Sequence, residues 1–143
     1  MGSERSAIDA QLMSDCHHLG CLDHSQLLLH RNAALPWFIL VPDTRLHDVL
    51  DLPEQQAQMI WQECADVSGF IKRVMGYPKV NFAGLGNVVA QMHLHIIGRR
   101  EGDACWPRPV WGVLPEGQTY RGTELDDIQA GLIELTGLRP PSV

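Results

Sequence analysis

The chain has few basic residues and no long apolar run. Its 143 residues include 11 lysines and arginines against 17 aspartates and glutamates, which gives a formal net charge of −6. Nucleic-acid binding depends on basic side chains that neutralise phosphates, so this balance argues against a general nucleic-acid-binding protein. No apolar segment approaches the roughly 18 residues of a membrane span. We therefore expect neither nucleic acid nor a membrane as a partner.

Export signals, internal repeats and interdomain linkers are also missing. Residues 1–5 lack the apolar stretch of a secretory signal, so we expect a cytoplasmic protein. The irregular spacing of the cysteines fits reduced thiols in that compartment. The cysteines are Cys16, Cys21, Cys64 and Cys105. Residues 1–143 are predicted to form one domain, long enough to bury a core.

One stretch, residues 15–24, admits a metal site. It contains Cys16, His17, His18, Cys21 and His24. Cysteine and histidine are zinc ligands, but the Cys-x4-Cys spacing is loose and no Cys-x2-Cys is present. We therefore favour an ordinary polar loop or the start of a strand, with zinc as the alternative. We predict no metal and no cofactor.

The apolar pattern predicts an α+β fold. Strands are predicted at 26–30, 37–41, 79–83 and 91–98, and the last two should pair antiparallel across a short glycine-containing turn. A long helix should begin near Pro53 and end before residues 76–78, because apolar residues recur every three or four positions between them. Cys64 lies on that apolar stripe and should be buried. Shorter helices are predicted at 6–13 and 124–135, the second capped by Thr123.

A long irregular connection is predicted at 101–118, which contains Trp106 and Trp111. Long connections in compact domains are usually functional or disordered, and two tryptophans argue against disorder. These side chains could pack in the core, cover a site or lie in a dimer interface, where aromatic residues are enriched. The sequence leaves these alternatives open.

Residues 91–97 alternate polar and apolar side chains, which is the period of a half-buried strand. Gln91, His93 and His95 would share one face, and the apolar residues between them would be buried. Such histidines can be polar residues on a wet face or metal ligands. The glycine-rich residues 84–87 favour a phosphate site instead, because glycines let backbone N–H groups approach an anion.

In this context, residues 86–97 resemble the signature of the histidine triad (HIT) superfamily, His-φ-His-φ-His-φ-φ with φ apolar and a Gly-Gln/Asn pair upstream. Residues 37–42 and 50–54 resemble the strand, proline turn and helix start of the same family. The resemblance covers about 15–112 and leaves 113–143 as a C-terminal extension. It implies a HIT-like fold, with an antiparallel sheet of about five strands, a long helix and a C-terminal helix, and a homodimer.

Two positions depart from the signature. Gln91 stands where the family has its first histidine, and in this respect the chain resembles a bacterial branch with Gln-x-His-x-His. Glutamine still offers a donor and an acceptor but does not titrate near neutral pH. Val88 stands where many relatives place a serine or threonine that contacts phosphate. This second change removes one expected hydrogen bond.

The resemblance implies covalent catalysis on a nucleotide. His93 would attack the α-phosphorus and form a nucleotidyl-histidine, which water or another acceptor would then cleave. A main-chain carbonyl near Gln91 would hold the other nitrogen of His93, and His95 would hydrogen-bond the phosphate or help the leaving group. Gly86 and Asn87 would donate to phosphate oxygens. Dinucleoside polyphosphates and nucleoside phosphoramidates are both candidate substrates.

Further candidates come from outside the motif. Asn81 is predicted to orient the α-phosphate. Arg31 and Asn32 sit where relatives contact the ribose. Surface positions are favoured for His30 and His47, and exposed positions at a strand end for Arg99 and Arg100. The alternative function is a nucleotide- or phosphate-binding protein with little or no turnover, since two site positions are altered.

Overall fold

The structure is a computed structural model that describes residues 7–142. In that part of the chain, five strands form one antiparallel sheet in the order β1-β2-β3-β5-β4. The strands are β1 (Cys16–Cys21), β2 (Ser25–His30), β3 (Trp37–Pro42), β4 (Lys79–Ala83) and β5 (Leu94–Arg99). The helices of the same residues are α1 (Ala10–Asp15), α2 (Glu54–Arg73) and α3 (Gly122–Thr136), with a 3-10 turn at Val49–Asp51. The predicted α+β architecture is confirmed.

Helix α2 covers one face of the sheet. Its apolar stripe is buried as the periodicity predicts, and Cys64 is 6% exposed within it. Phe70 meets Phe38 of β3 edge-on, with ring centroids 6.2 Å apart. Helix α3 adds Ile128 and Leu132 to the same core. Burial of these side chains, at about 25 cal/mol per Å² of apolar surface, holds the helices against the sheet.

The opposite face of the sheet is covered by α1 and by the connection that follows β5. Leu12 of α1 packs there together with Trp37, Ile97, Cys105 and Val110. The connection from 100 to 121 contains no regular helix or strand, as predicted. It is nevertheless tied to the sheet through buried side chains. Within residues 7–142, no helix combines the length and apolar character of a membrane span.

The start of β5 differs from the prediction. The sequence predicts a strand from residue 91, but the ladder begins at Leu94. β4 ends at Ala83, which pairs with His95, so residues 84–93 form a wide loop rather than a short turn. Gln91 and His93 therefore lie on this loop and not on the face of a strand. The burial of the apolar residues between them is confirmed, with Met92 at 3% and Leu94 at 1% exposure.

Three further boundaries needed correction. Residues 16–21, predicted as a loop or the start of a strand, form the edge strand β1, which pairs with β2 across an irregularity between His18 and Gly20. Helix α1 begins at Ala10 because the carboxylate of Asp9 accepts a hydrogen bond from the Gln11 N–H; the earlier start at residue 6 lies outside the described residues. Helix α3 is capped by Arg121 rather than Thr123, since Arg121 N–H donates to Glu124.

Candidate active site

The imidazole of His93 is held in one tautomer by the loop before β5. Its Nδ1 lies 2.7 Å from the carbonyl oxygen of Gln91. A carbonyl only accepts, so Nδ1 carries a proton, and the lone pair of the neutral ring lies on Nε2. His93 is 7% exposed and lines a cleft of about 610 Å³. The arrangement places a candidate nitrogen nucleophile at the wall of a cavity.

The glycine-rich segment forms another wall of this cleft, which Gly84, Gly86 and Asn87 line together with His93. A Cβ on Gly86 would lie 2.9 Å from the carbonyl oxygen of Val89 and 3.5 Å from the His93 ring, so only glycine fits there. Val88 is 93% exposed and carries no side-chain polar atom. The predicted residues Gly86, Asn87 and His93 are therefore brought together.

His95 is 4% exposed, and both of its ring nitrogens are engaged. Trp37 Nε1–H donates to Nδ1 at 3.0 Å, and Nε2 lies 3.2 Å from the carbonyl oxygen of Leu85. Burial lowers the pKa of His95 to about 4. Its ring meets the His93 ring edge-on, with centroids 5.0 Å apart. His95 is therefore a neutral ring wedged between a tryptophan and the glycine-rich loop.

Gln91 uses its side chain away from the cleft. Its Oε1 accepts from Asp9 N–H at 2.8 Å, and its Nε2 donates to the carbonyl oxygen of Ala7 at 3.1 Å. The amide supplies both the acceptor and the donor that this paired arrangement uses. The residue in place of the first histidine thus fastens the segment before α1 to the loop, while its main-chain carbonyl holds His93.

Asn81 is not brought to the cleft. It lies opposite Ile97, further along β5 from His93, and its Oδ1 accepts from Arg99 Nη1 at 2.8 Å. Arg99 was predicted to be exposed but is 1% exposed, because it forms an ion pair with Asp103 at 2.8 Å. The prediction that Asn81 orients a phosphate is not supported by this geometry. Its amide oxygen is already engaged as an acceptor for the buried guanidinium.

Asn32 lines a second cavity of about 510 Å³ on the same sheet face as His95. Its Nδ2 donates to the carbonyl oxygen of Pro115 and its Oδ1 accepts from Ala34 N–H, so its amide ties the β2–β3 turn to the connection after β5. Arg31 borders the same cavity. The predicted ribose-contacting residues thus sit together, apart from the cleft of His93.

An aromatic cluster beside His95 escaped the sequence analysis. His30, predicted to be a surface residue, stacks on Trp37 with centroids 4.2 Å apart. Trp111 meets both Trp37 and His95 edge-on, at 5.9 and 4.9 Å. Among the alternatives for Trp111, the structure shows packing beside the site. The alternation of side chains along the strands could have predicted that Trp37 and His95 lie on the same face of the sheet. It could not have predicted the hydrogen bond between them.

The rim of the His93 cleft contains titratable groups that the sequence analysis did not assign to the site. His47 is exposed, as predicted, yet it lines the cleft with Asp48 and Asp51. Within residues 7–142, these included, no group of three histidine, cysteine or acidic side chains is arranged to hold a metal ion. The cysteines and histidines of residues 16–24 are instead distributed over β1 and the turn after it.

Two neighbouring histidines beside a glycine-rich loop, together with a five-stranded antiparallel sheet, define a protein of the histidine triad class. A model of the HIT domain family matches residues 11–102. A histidine triad protein of Bradyrhizobium japonicum is 36% identical, with a TM-score of 0.85 over 93% of this chain and 99% of that one. One from Marinobacter aquaeolei VT8 is 34% identical, with a TM-score of 0.85 over 94% and 98%.

The chain belongs to the HIT family. A zinc-bound histidine triad family protein from Mycobacterium smegmatis shares the fold at 16% identity, with a TM-score of 0.61 over 90% of this chain and 93% of that one. No curated protein matches the chain significantly. The HIT-like fold predicted from the sequence is thereby confirmed.

Proposed function

We propose that this protein is a nucleotide hydrolase or nucleotidyl transferase that acts at an α-phosphate through His93. The observation that carries the proposal is the bond from His93 Nδ1–H to the Gln91 carbonyl, which leaves the Nε2 lone pair available at the cleft. Nε2 forms a bond to phosphorus while the bond to the leaving group breaks, and the leaving group takes the electron pair. Water or another acceptor then attacks phosphorus and releases the histidine.

The glycine-rich loop supports this chemistry electrostatically. Backbone N–H groups near Gly86 and the Asn87 side chain donate to the phosphate oxygens, on which negative charge develops during transfer. The nucleoside extends over the sheet face toward Asn32, where the cavity lined by Trp37 and Trp111 offers an aromatic surface. The substrate is a dinucleoside polyphosphate or a nucleoside phosphoramidate.

Substitution of the first histidine is compatible with turnover. The group that orients His93 is a main-chain carbonyl, which any residue at position 91 supplies. We therefore place the chain in a bacterial Gln-x-His-x-His branch of enzymes. The four cysteines are free thiols, which fits the proposed cytoplasmic location. A single domain over 1–143, with an extension from 113, stays part of the proposal.

A second candidate, nucleotide binding with little turnover, is favoured by one observation. Val88 is aliphatic and almost fully exposed, so it gives no side-chain hydrogen bond at the loop. The two candidates differ in the fate of bound nucleotide. The binding protein would hold a nucleotide without releasing its monophosphate.

The test is nucleoside monophosphate release from a panel of dinucleoside polyphosphates and phosphoramidates. We expect release by the parent protein and a loss of at least about 1,000-fold in His93→Ala, because the nucleophile is removed. His24→Ala, a histidine outside both cavities just described, should retain activity. Mass spectrometry of the denatured parent should show an adduct of one nucleoside monophosphate. Binding without release by the parent would establish the second candidate instead.

A further inference from the structure

His95 accepts a hydrogen bond at one ring nitrogen and donates one at the other. An indole nitrogen only donates, so the Trp37 N–H at 3.0 Å requires Nδ1 of His95 to be unprotonated. The proton of the neutral ring must then lie on Nε2, where the Leu85 carbonyl at 3.2 Å accepts it. The pattern admits one tautomer and one charge state.

The surroundings of His95 disfavour a second proton. The ring is 4% exposed, and a proton on Nδ1 would point at the Trp37 N–H and break that bond. The titratable groups facing it are His93 from the loop and His30 from β2, and neither supplies a negative charge that would favour an imidazolium. Its register partners are Ile39 of β3 and Ala83 of β4, which carry no charge. No neighbouring carboxylate among these elements compensates an imidazolium.

Resting on the proposed function, we propose that Trp37 is a positioning residue that holds His95 as a neutral donor to the Leu85 carbonyl, and that His95 gives no proton to the leaving group. The connection Trp37–His95–Leu85 joins β3 to the loop that carries Gly84 and Gly86. Its role is to fix the phosphate-binding loop. General acid catalysis is not part of that role.

A consequence for substrate class follows from this geometry. When Nε2 of His93 bonds to phosphorus and a P–O bond breaks, the oxygen of a phosphate, carboxylate or phenolate takes the electron pair and leaves as a stable anion. An amine leaving from a P–N bond needs a proton on nitrogen, which His95 does not supply. The site therefore selects anhydrides and activated esters of nucleotides over phosphoramidates.

The tautomer can be measured without a substrate. Long-range ¹H–¹⁵N NMR should show His95 protonated at Nε2 only, without titration between about pH 8 and pH 5, where histidines ordinarily titrate. Trp37→Phe removes the donor and keeps a ring, so His95 should lose its fixed tautomer and begin to titrate. Trp111→Phe is the matched control, because Trp111 meets the same imidazole at 4.9 Å through its ring. Titration of His95 in the parent would overturn the proposal.

Kinetics test the proton transfer. In His95→Gln, the amide can still donate to the Leu85 carbonyl but cannot release a proton. Since a general acid contributes about 100- to 10,000-fold, a fall of less than about 10-fold is expected for the p-nitrophenyl ester of AMP. The parent should also cleave this ester at least about 100-fold faster than adenosine phosphoramidate. Equal cleavage of both substrates, with loss confined to the phosphoramidate in His95→Gln, would overturn the inference.

The two proposals fail in different ways. If the parent cleaves neither substrate, the proposed enzymatic function fails, while the NMR measurement still decides whether Trp37 fixes the tautomer of His95. If the parent is active and His93→Ala is not, the function stands whatever the state of His95. Misfolding of Trp37→Phe would leave the parent spectrum and His95→Gln as independent tests.

Discussion

Two histidines that are two residues apart have different chemistry here because their hydrogen-bond partners differ. His93 Nδ1 donates to a carbonyl, which frees Nε2 at the cleft. In His95 both nitrogens are engaged, one by an indole and one by a carbonyl. A free lone pair suits a nucleophile, whereas a ring bonded at both ends suits a support. The difference between the two residues arises from the loop and from β3.

Gln91 offers a test at the same scale. Gln91→Leu removes the bonds to Asp9 N–H and to the Ala7 carbonyl, so the segment before α1 should detach from the loop. Each bond contributes about 1 kcal/mol, so the amide of Asp9 should exchange with solvent about five-fold faster or more. The kcat should fall a few-fold as the carbonyl that holds His93 loosens.

Gln91→Glu is the matched variant, because its carboxylate keeps an acceptor for Asp9 N–H but lacks a donor for Ala7. An intermediate exchange rate is expected. Hydrogen exchange followed by NMR reports Asp9 directly. Unchanged protection of this amide in Gln91→Leu would show that the side-chain contacts do not hold the segment.

The sequence gives the types of the cleft residues but not all of their partners. His93, Gly86 and Asn87 are predicted from spacing and family resemblance, and the structure brings them together. Asn81 does not line the cleft, and its position near a glycine turn does not reveal Arg99, which lies 18 residues away and donates to its amide oxygen. The Trp37–His95 bond spans 58 residues, so it depends on strand pairing that a local pattern does not report.

At the scale of elements, local sequence patterns predict the interior of a helix or strand better than the residues at which it begins and ends. The spacing of apolar residues predicts α2, and β4 is predicted with both ends correct at Lys79–Ala83. The predicted start of β5 is wrong because the polar–apolar alternation continues through the loop before the strand. Strand pairing requires a neighbouring strand, and β4 ends at Ala83, which pairs with His95. Residues 16–21 were predicted only as a loop or the start of a strand, since they mix polar residues and glycine. The pairing with β2 is what defines the edge strand β1.

The junction of β5 with the connection after it is stabilised by a buried ion pair. Arg99 is 1% exposed, and the Asp103 carboxylate also accepts from the N–H groups of Arg100, Cys105 and Trp106. Burial raises the pKa of Asp103, but the hydrogen bonds from Arg99 and the backbone outweigh it and lower the pKa to about 2. The folded state therefore prefers the carboxylate.

Asp103→Asn should destabilise the protein at neutral pH. Removing one partner of a buried pair leaves an uncompensated cation, which costs about 3–5 kcal/mol in the free energy of unfolding. Since the folded pKa lies below the unfolded value of about 3.9, the stabilisation is present above about pH 4. It is lost as the pH falls toward the folded pKa of about 2.

Urea unfolding at a series of pH values measures this difference between parent and variant. Asp23→Asn is the control, because its ion pair with Arg139 is exposed on both sides and contributes about 0–1 kcal/mol. The difference in the free energy of unfolding between the parent and Asp103→Asn should become smaller below about pH 4. Equal stabilities for the two variants at neutral pH would contradict a structural role for the buried pair.

At the scale of the whole molecule, the sheet separates the larger hydrophobic core from the residues around the candidate site. Helices α2 and α3 pack on one face and form the larger core, while the other face carries His95, Trp37 and the connection after β5. The His93 cleft lies at the loop between β4 and β5. The family model ends at residue 102, so Trp111 and the aromatic cluster it completes lie beyond the matched region.

At the same scale, we propose the surface through which the homodimer implied by the family resemblance would form. β4 is a terminal strand of the sheet, with one side unpaired by any other strand of residues 7–142. Next to it, Trp61 of α2 is 68% exposed and Phe82 of β4 is 43% exposed, and their rings meet edge-on with centroids 5.9 Å apart. A bare strand edge beside exposed aromatic side chains is suited to pairing with a second copy about a two-fold axis.

Phe82→Asp should therefore convert a dimer to a monomer. In a two-fold interface each substitution occurs twice. Loss of the Phe82 ring from the interface should weaken dimer association by about 1.5–3 kcal/mol per side. Dimer affinity should fall by about 100-fold or more, since 1.4 kcal/mol corresponds to tenfold. Leu135→Asp on α3 is the matched control, because Leu135 is 45% exposed, close to Phe82 at 43%. Sedimentation velocity over a range of concentrations separates the outcomes. A monomeric parent, or equal dissociation by both variants, would exclude the β4 edge as the contact between copies.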